Sequence, residues 1–363
     1  MPGGCITGKR ACEKMSMENH IIDLLSYDKY IVSFSGGKDS TATFLYLLEH
    51  GVPVDRIELW HQEIDGREKT FFDWEITPDY CRHFAEAFGV AIYFQWKEGG
   101  FYRELVRKNS LTAPNCFELP GGGIDRTGGQ RGKLSTRCKF PQCSPDLKVR
   151  WCSSYLKIDV CSSAIINQQR FRGIRTLVLS GERGEESAAR AKYNIFEPDR
   201  ADLRNGKYFI RHVDRFRPIR DWKEQQVWDI IKRYRIRVHP CYYMGWGRCS
   251  CKFCIFGNKN QFASAASISP EQISRIIKLE RDFGYTLKRD LNLPELIAMG
   301  YVYKNITPEL QRLATSYNYN QAIILPVAEE WTLPSGVFGE NCGATSVSYT
   351  HLRAHETVID LVC

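Results

Sequence analysis

Residues 30–34 (YIVSF) form a short apolar strand pattern that passes directly into Ser35-Gly36-Gly37-Lys38-Asp39-Ser40. Residues 40–50 (STATFLYLLEH) follow with helical spacing, Phe44, Leu47 and Leu48 sharing one face. A strand, a glycine turn and a helix in immediate succession leave few folds open. The chain then repeats the alternation. Residues 57–61 read as a second strand, Thr77–Phe88 as a helix opened by Thr-Pro and closed before Gly89, and residues 90–96 as a third strand. Residues 155–169 read as helix and residues 175–180 (RTLVLS) as a buried strand. The predicted class is α/β, a doubly wound, mostly parallel sheet.

Residues 111–144 interrupt this pattern with a Gly- and Pro-rich stretch. A stretch of that length inside a domain is more often a lid or binding loop than a passive connection. Short helical patterns at residues 271–283 and 293–299 predict a small C-terminal helical appendage. The expected organisation is an N-terminal extension (1–28), an α/β domain (29–256) carrying the insertion, and the appendage (257–345). The last stretch, 346–363 (SVSYTHLRAHETVIDLVC), resembles translated sequencing-adapter read-through and is set aside as non-native, so the native C-terminus is expected to differ.

Of the 363 residues 43% are apolar and 25% charged, which supports a globular core and excludes a disordered tail, a collagen repeat or a disulfide mini-protein. No apolar run approaches the ~18–20 residues of a membrane span, and the first residues lack the apolar segment of a signal peptide. A soluble, cytoplasmic protein without a membrane partner is expected. The net charge of +8 is unevenly placed. Residues 131–175 hold ten Lys/Arg against two Asp, a net +8, and residues 200–237 hold twelve against five acids, a net +7. The rest of the chain therefore carries −7. Basic stretches of this kind predict a polyanionic ligand, although a solvated charged face explains them about as well.

The glycines of SGGKDS allow backbone N–H groups to turn around an anion, and the helix start adds positive potential. Ser35 and Ser40 supply hydroxyls, Lys38 can neutralise phosphate charge, and Asp39 can bind Mg²⁺ or order the loop. It is not a Walker A loop. The nearest imitation, residues 3–10 (GGCITGKR), ends in Arg and follows no strand. A second anion motif follows residue 180: Gly181-Glu182-Arg183-Gly184-Glu185-Glu186-Ser187-Ala188-Ala189-Arg190. Arg183 and Arg190 are planar donors suited to phosphate or sulfate, with Glu186 between them to orient one. By itself, such spacing equally describes a salt-bridged helix face.

There are fourteen cysteines, many for a chain that keeps no structural disulfides in the cytosol. Cys241, Cys249, Cys251 and Cys254 fall within fourteen residues, CYYMGWGRCSCKFC, just after His239-Pro240. The C-x-x-C of Cys251 and Cys254 lets two thiolates share a metal centre, either zinc or an iron–sulfur cluster. Free buried thiols are the plainer alternative. Cys138 and Cys143 (CKFPQC) make a weaker second candidate.

SGGKDS matches the PP-loop of the N-type ATP pyrophosphatase and phosphoadenosine phosphosulfate (PAPS) reductase superfamily, whose fold is adenine nucleotide alpha hydrolase-like. Arg150-Trp151-Cys152-Ser153-Ser154-Tyr155-Leu156-Lys157 resembles that superfamily's R-W-C-x-x-x-L-K segment, and GERGEESAAR resembles its second anion signature. Together with GRCSCKFCIF, these motifs extend the resemblance over about residues 30–261. The resemblance implies ATP or PAPS as ligand, with Lys38, Asp39 and Arg183 catalytic. Ser35, Gly36, Gly37, Ser40, Gly181, Glu186 and Arg190 would bind the nucleotide. His61 and the following Glu63-Ile64-Asp65-Gly66 fall where relatives contact base and ribose. In cluster-bearing members the corresponding thiolates surround a 4Fe–4S centre, which implies Cys152, Cys251 and Cys254 here. Cys241 is preferred over Cys249 as fourth ligand because relatives carry an apolar residue at the latter position. Asp221-Trp222-Lys223-Glu224, Trp246 and the adjacent tyrosines are expected to pack.

Two departures matter. Assimilatory reductases have a Cys-Cys pair where this chain has Cys152-Ser153. Thioredoxin-dependent reductases use a C-terminal E-C-G-[LI]-H cysteine, and Glu340-Asn341-Cys342-Gly343-Ala344 only approximates it. The resemblance therefore points toward an ATP pyrophosphatase that adenylates an acceptor for sulfur incorporation, near the sulfur-transfer subunit of DNA phosphorothioation systems. DNA or tRNA and a cysteine desulfurase would be its partners, with Mg²⁺ accompanying ATP. A sulfonucleotide reductase is the rival enzyme, and a non-catalytic nucleotide- and DNA-binding module with structural zinc is the rival from another class.

Overall fold

The computed structural model describes residues 22–338. The stretch at residues 3–10, Cys5, Cys12, the Glu340–Ala344 segment and the tail from 346 lie outside them. Strand β1 (Lys29–Ser33) leads into helix α1 (Lys38–Glu49), then β2 (Ile57–Glu63), α2 (Thr77–Phe88), β3 (Ala91–Lys97) and α3 (Gly100–Leu105). Pro78 opens α2, and Gly89 closes it with φ of 61°, so both ends obey their sequence signals.

The insertion contains secondary structure that the sequence reading missed. β4 (Asn115–Glu118) and β5 (Ile124–Thr127) form a hairpin that pairs antiparallel with β3. Helix α4 (Trp151–Ser153) continues through a π-helical turn, Ser154–Ile158, into α5 (Asp159–Asn167). Strand β6 (Arg175–Leu179) follows, then β7 (Phe196–Pro198) and β8 (His212–Phe216), two further strands that escaped prediction. Helices α6 (Glu224–Arg233), α7 (Pro240–Tyr243), α8 (Lys259–Ile268), α9 (Pro270–Phe283), α10 (Leu293–Ala298) and α11 (Pro308–Ala314) complete the order.

The sheet runs β5-β4-β3-β2-β1-β6-β8-β7. Its central strands, from β3 to β8, are parallel, and antiparallel strands close both edges. β1 shows why both faces are covered. Tyr30 and Val32 point into the core beneath α1 and α2, while Ile31 points to the opposite layer with Ala164 and Ile165 of α5. The C-terminal helices do not form a separate core. Phe262, Ile276, Leu293 and Ala314 join the same apolar cluster as Tyr30 and Phe44.

Candidate functional site

The chain leaves β1 toward β2 on one side, whereas β6 lies on the other. That makes the carboxyl ends of β1 and β6 the switch point where open α/β sheets bind ligands. SGGKDS follows β1, and GERGEESAAR follows β6. The phosphate loop closes on itself: Ser35 N–H donates to Ser40 Oγ at 3.2 Å, and that hydroxyl donates to the Gly37 carbonyl at 2.9 Å. Gly36 has φ of 74°, and a Cβ there would stand 3.1 Å from Cys81 Sγ. Both the conformation and the space require glycine.

Lys38 is buried. Its backbone N–H donates to Tyr242 Oη at 2.9 Å, and its ammonium donates to the Gly247 carbonyl at 3.0 Å. Asp39 and Glu224 stand 3.5 and 3.7 Å from that ammonium. Arg183 Nε donates to Asp39 Oδ1 at 2.6 Å, and its Nη1 to Glu185 at 2.7 Å. Burial alone would raise the Asp39 pKa, but Lys38 and Arg183 outweigh it and hold the carboxyl below its ordinary value. With Oδ1 on Arg183 and Oδ2 3.5 Å from the Lys38 ammonium, Asp39 ties the loop to both cations. Gly181 lies so close to α1 that a Cβ would meet the Asp39 carbonyl at 2.6 Å. Arg190 pairs with Glu186, and Arg248 of the cysteine loop reaches the same carboxylate at 3.3 Å.

A cleft of about 220 Å³ opens beside this network. Ser35 contributes from the phosphate loop, Ser180 and Glu182 from the end of β6, Lys157 from RWCSSYLK, and Cys249 and Cys251 from the cysteine loop. The four motifs thus meet at one place. His61 also lines the cleft, with Nδ1 2.9 Å from the Phe34 carbonyl. A carbonyl only accepts, so Nδ1 carries the proton. Burial lowers the His61 pKa to about 4, which keeps the ring neutral and makes it a brace between the ends of β1 and β2. Asp65 is likewise committed to structure: its Oδ2 accepts the N–H groups of Phe71, Phe72 and Asp73 at 2.8–3.0 Å. Trp222 and Trp246 pack as expected. Trp222 meets Tyr46 edge-on, and Trp246 meets Trp74.

The cysteines fall into two adjoining groups. Cys254 helps raise the Cys152 pKa, and both, with Cys251, act on Lys157. Enclosure opposes the charge on Lys157, but Cys251, Asp73, Cys152 and Cys254 outweigh it and hold its pKa above the ordinary lysine value. Burial pushes Cys152 up to about 11 and, aided by Asp65, pushes Asp73 up to about 7. Cys241 lies in the second group. Its thiol, that of Cys249 and a ring nitrogen of His239 lie within 4.8 Å of one another. Cys249 is hydrogen-bonded to Cys241 and held well below the usual thiol pKa, while burial raises Cys241. His239 Nδ1 accepts the Cys241 N–H at 3.2 Å, and Nε2 meets Thr77 Oγ1 at 3.1 Å. The ring therefore positions Cys241. Among the described residues, His239, Cys241 and Cys249 form a group close enough to hold one metal ion.

The observed roles of three residues escaped the sequence reading. Glu224, at the start of α6, joins the Lys38 network. His239, signalled by His-Pro-Cys, braces Cys241 and belongs to the donor group with Cys241 and Cys249. Cys249 sits against the phosphate loop, its Cβ 3.3 Å from where a Gly37 Cβ would be.

Residues 135–256 match the phosphoadenosine phosphosulfate reductase domain. The chain therefore carries a PAPS-reductase-like domain within an α/β fold of nucleotide-binding type. Over 262 residues it is 27% identical to an uncharacterized protein of Escherichia phage 186, covering 69% of this chain and 74% of that one. An uncharacterized protein of Methanocaldococcus jannaschii is 21% identical over 77% of this chain, which spans about half, 53%, of that relative. The adenosine 5'-phosphosulfate reductase of Burkholderia cepacia is 29% identical over 76 residues, 21% of this chain and 27% of that enzyme. Among the described residues no helix is long and apolar enough to cross a membrane.

Proposed function

We propose that this chain is an adenine-nucleotide enzyme of sulfur chemistry, an ATP pyrophosphatase that adenylates an acceptor so that sulfur can replace an oxygen on nucleic acid. The observation that carries this reading is the contact between phosphate loop and cysteine loop: Lys38 bonds to the Gly247 carbonyl, and Gly37 abuts Cys249. A nucleotide phosphate on the loop would lie within one side chain of a thiol group. An acceptor oxygen attacks the α-phosphorus of ATP, and the bond to the leaving pyrophosphate breaks. The loop N–H groups, Lys38 and Arg183 carry the charge that develops there. Mg²⁺ arrives with ATP as part of the substrate.

The thiol-rich donor set around Lys157 fits a 4Fe–4S cluster held by Cys152, Cys251 and Cys254, with Cys241 or its neighbour Cys249 as fourth ligand. When bound, such a cluster would supply electron or sulfur transfer. Zinc is the alternative occupant, and iron with labile sulfide in anaerobically purified protein separates the two. A cysteine desulfurase would be the sulfur donor's source.

The matched domain and the short similarity to a sulfonucleotide reductase favour a second reading, reduction of PAPS or its relative. The decisive assay compares pyrophosphate release from ATP with sulfite release from PAPS, each with and without DNA or tRNA. Pyrophosphate release alone is expected. Lys38→Ala should lower it by about 10²-fold or more. Unchanged activity in that variant would refute the phosphate-loop assignment.

A further inference from the structure

A cavity of about 920 Å³ lies away from the phosphate loop, between the inserted segment and the turn after α9. Its volume is near the upper end of the about 300–1,000 Å³ usual for ligand pockets. Cations from both walls line it and no carboxylate does; Asp146 and Asp290 are near in sequence but outside the lining. Arg107 and Arg137 are bound to buried Glu104 and form the wall. Lys139, Lys148 and Arg289 are exposed and have no ion-pair partner among the described residues, Lys139 lying over the Tyr285 ring. Tyr285 stands exposed at the rim.

The two walls are joined and reach the cysteine centre. Gln142 Nε2 donates to the Thr286 carbonyl at 2.9 Å. Lys288 bonds to the carbonyls of Ile255 and Gly257, just beyond Cys254, and Trp151 precedes Cys152.

We propose that this groove binds single-stranded nucleic acid, with phosphates on Lys139, Lys148 and Arg289 and a base against Tyr285, and presents it to the cysteine centre. Unpaired cations beside an exposed ring are the combination that holds a nucleotide chain without reading its sequence. An acidic peptide would use the charges but not the ring. The presentation step rests on the function proposed above; the binding step does not.

The test is fluorescence anisotropy of a short labelled single-stranded DNA or RNA on the full chain. Lys148→Glu with Arg289→Glu should weaken binding by about tenfold or more and lower the salt slope by about 1.4, two phosphate contacts' worth. Tyr285→Ala should weaken it by about fivefold or more. ATP affinity should be unchanged in these variants, whereas Lys38→Ala should lose ATP and keep the oligonucleotide. The proposal is overturned if the wild type does not bind the oligonucleotide, if the double reversal binds as tightly, or if polyglutamate displaces the oligonucleotide as well as unlabelled oligonucleotide does. Any of these results leaves pyrophosphate release from ATP standing. Absence of that release would leave the groove standing.

Discussion

The basic stretches at residues 131–175 and 200–237 carry nearly equal net charge, yet they build opposite kinds of surface. In the second, Arg204 meets Asp202 and Asp214, Arg215 meets Asp199, Arg217 meets Glu182 and Glu197, Arg233 meets Glu49, and Arg237 meets Glu329. Most of those carboxylates lie outside the stretch, so local counting missed them. In the first stretch Arg137 and Arg170 have carboxylate partners, while Lys139 and Lys148 open onto the groove. Charge excess along a chain is therefore no measure of charge left for a ligand. What decides is whether the fold brings distant acids to it.

The sharpest way to break this comparison is to remove a cation from the compensated stretch. Arg217 is buried and bonded to Glu182 at 2.7 Å, Glu197 at 2.8 Å and the Asn194 carbonyl at 2.7 Å. Arg217→Ala leaves two carboxylates facing each other without their cation. Each is about a third exposed, so water softens the loss, and destabilisation of about 2–3 kcal/mol is expected in urea unfolding. Oligonucleotide binding should not change. If stability held and binding fell, the assignment of roles to the two stretches would be reversed.

Acidification probes the same contrast with a smaller effect. Burial would raise the Asp214 pKa, but hydrogen bonds from Arg204, Tyr27 and His212 outweigh it and depress the value. The native state then binds fewer protons than the unfolded chain. Its stability is present above the ordinary carboxylate pKa of about 4 and drains as pH falls through the lower folded value. Unfolding measured across that range should fall less steeply for Asp214→Asn than for the wild type. An equal slope in the two proteins would exclude Asp214 as a source of the acid sensitivity.

How much of this was legible follows the same line between local and distant partners. Helix Thr77–Phe88 was readable to the residue because Pro78 and Gly89 act on their own backbone. The strand-loop-helix at Ser35–Ser40 was readable for the same reason, and the parallel order followed from it. The short strands were not. β5 is exposed at all but its last residue and its hairpin turn is built from Gly121, Gly122 and Gly123, so composition argued for loop. β8 (HVDRF) hides a strand's alternation among charges that are satisfied only after folding. At the site, motif residues were visible, but their partners were not: Glu224 reaches Lys38 from α6, and Cys249 meets Gly37 from more than two hundred residues away. The family resemblance favoured Cys241 over Cys249, whereas the fold brings the two together.

The smallest expected effect is also the cleanest discriminator between the stretches. Lys148 is exposed and faces no carboxylate among the described residues; its backbone N–H, which alanine retains, donates to Asp146 Oδ1 at 2.8 Å. Lys148→Ala removes only a solvated ammonium and its stem, so stability should stay within about 0.5 kcal/mol of the wild type. Taking one cation from a surface with excess positive charge relieves repulsion slightly, which favours a small gain over a small loss. A loss above about 1 kcal/mol would mean that Lys148 is tied into the fold as Arg217 is. The groove would then be another compensated surface whose partner acid had gone unseen.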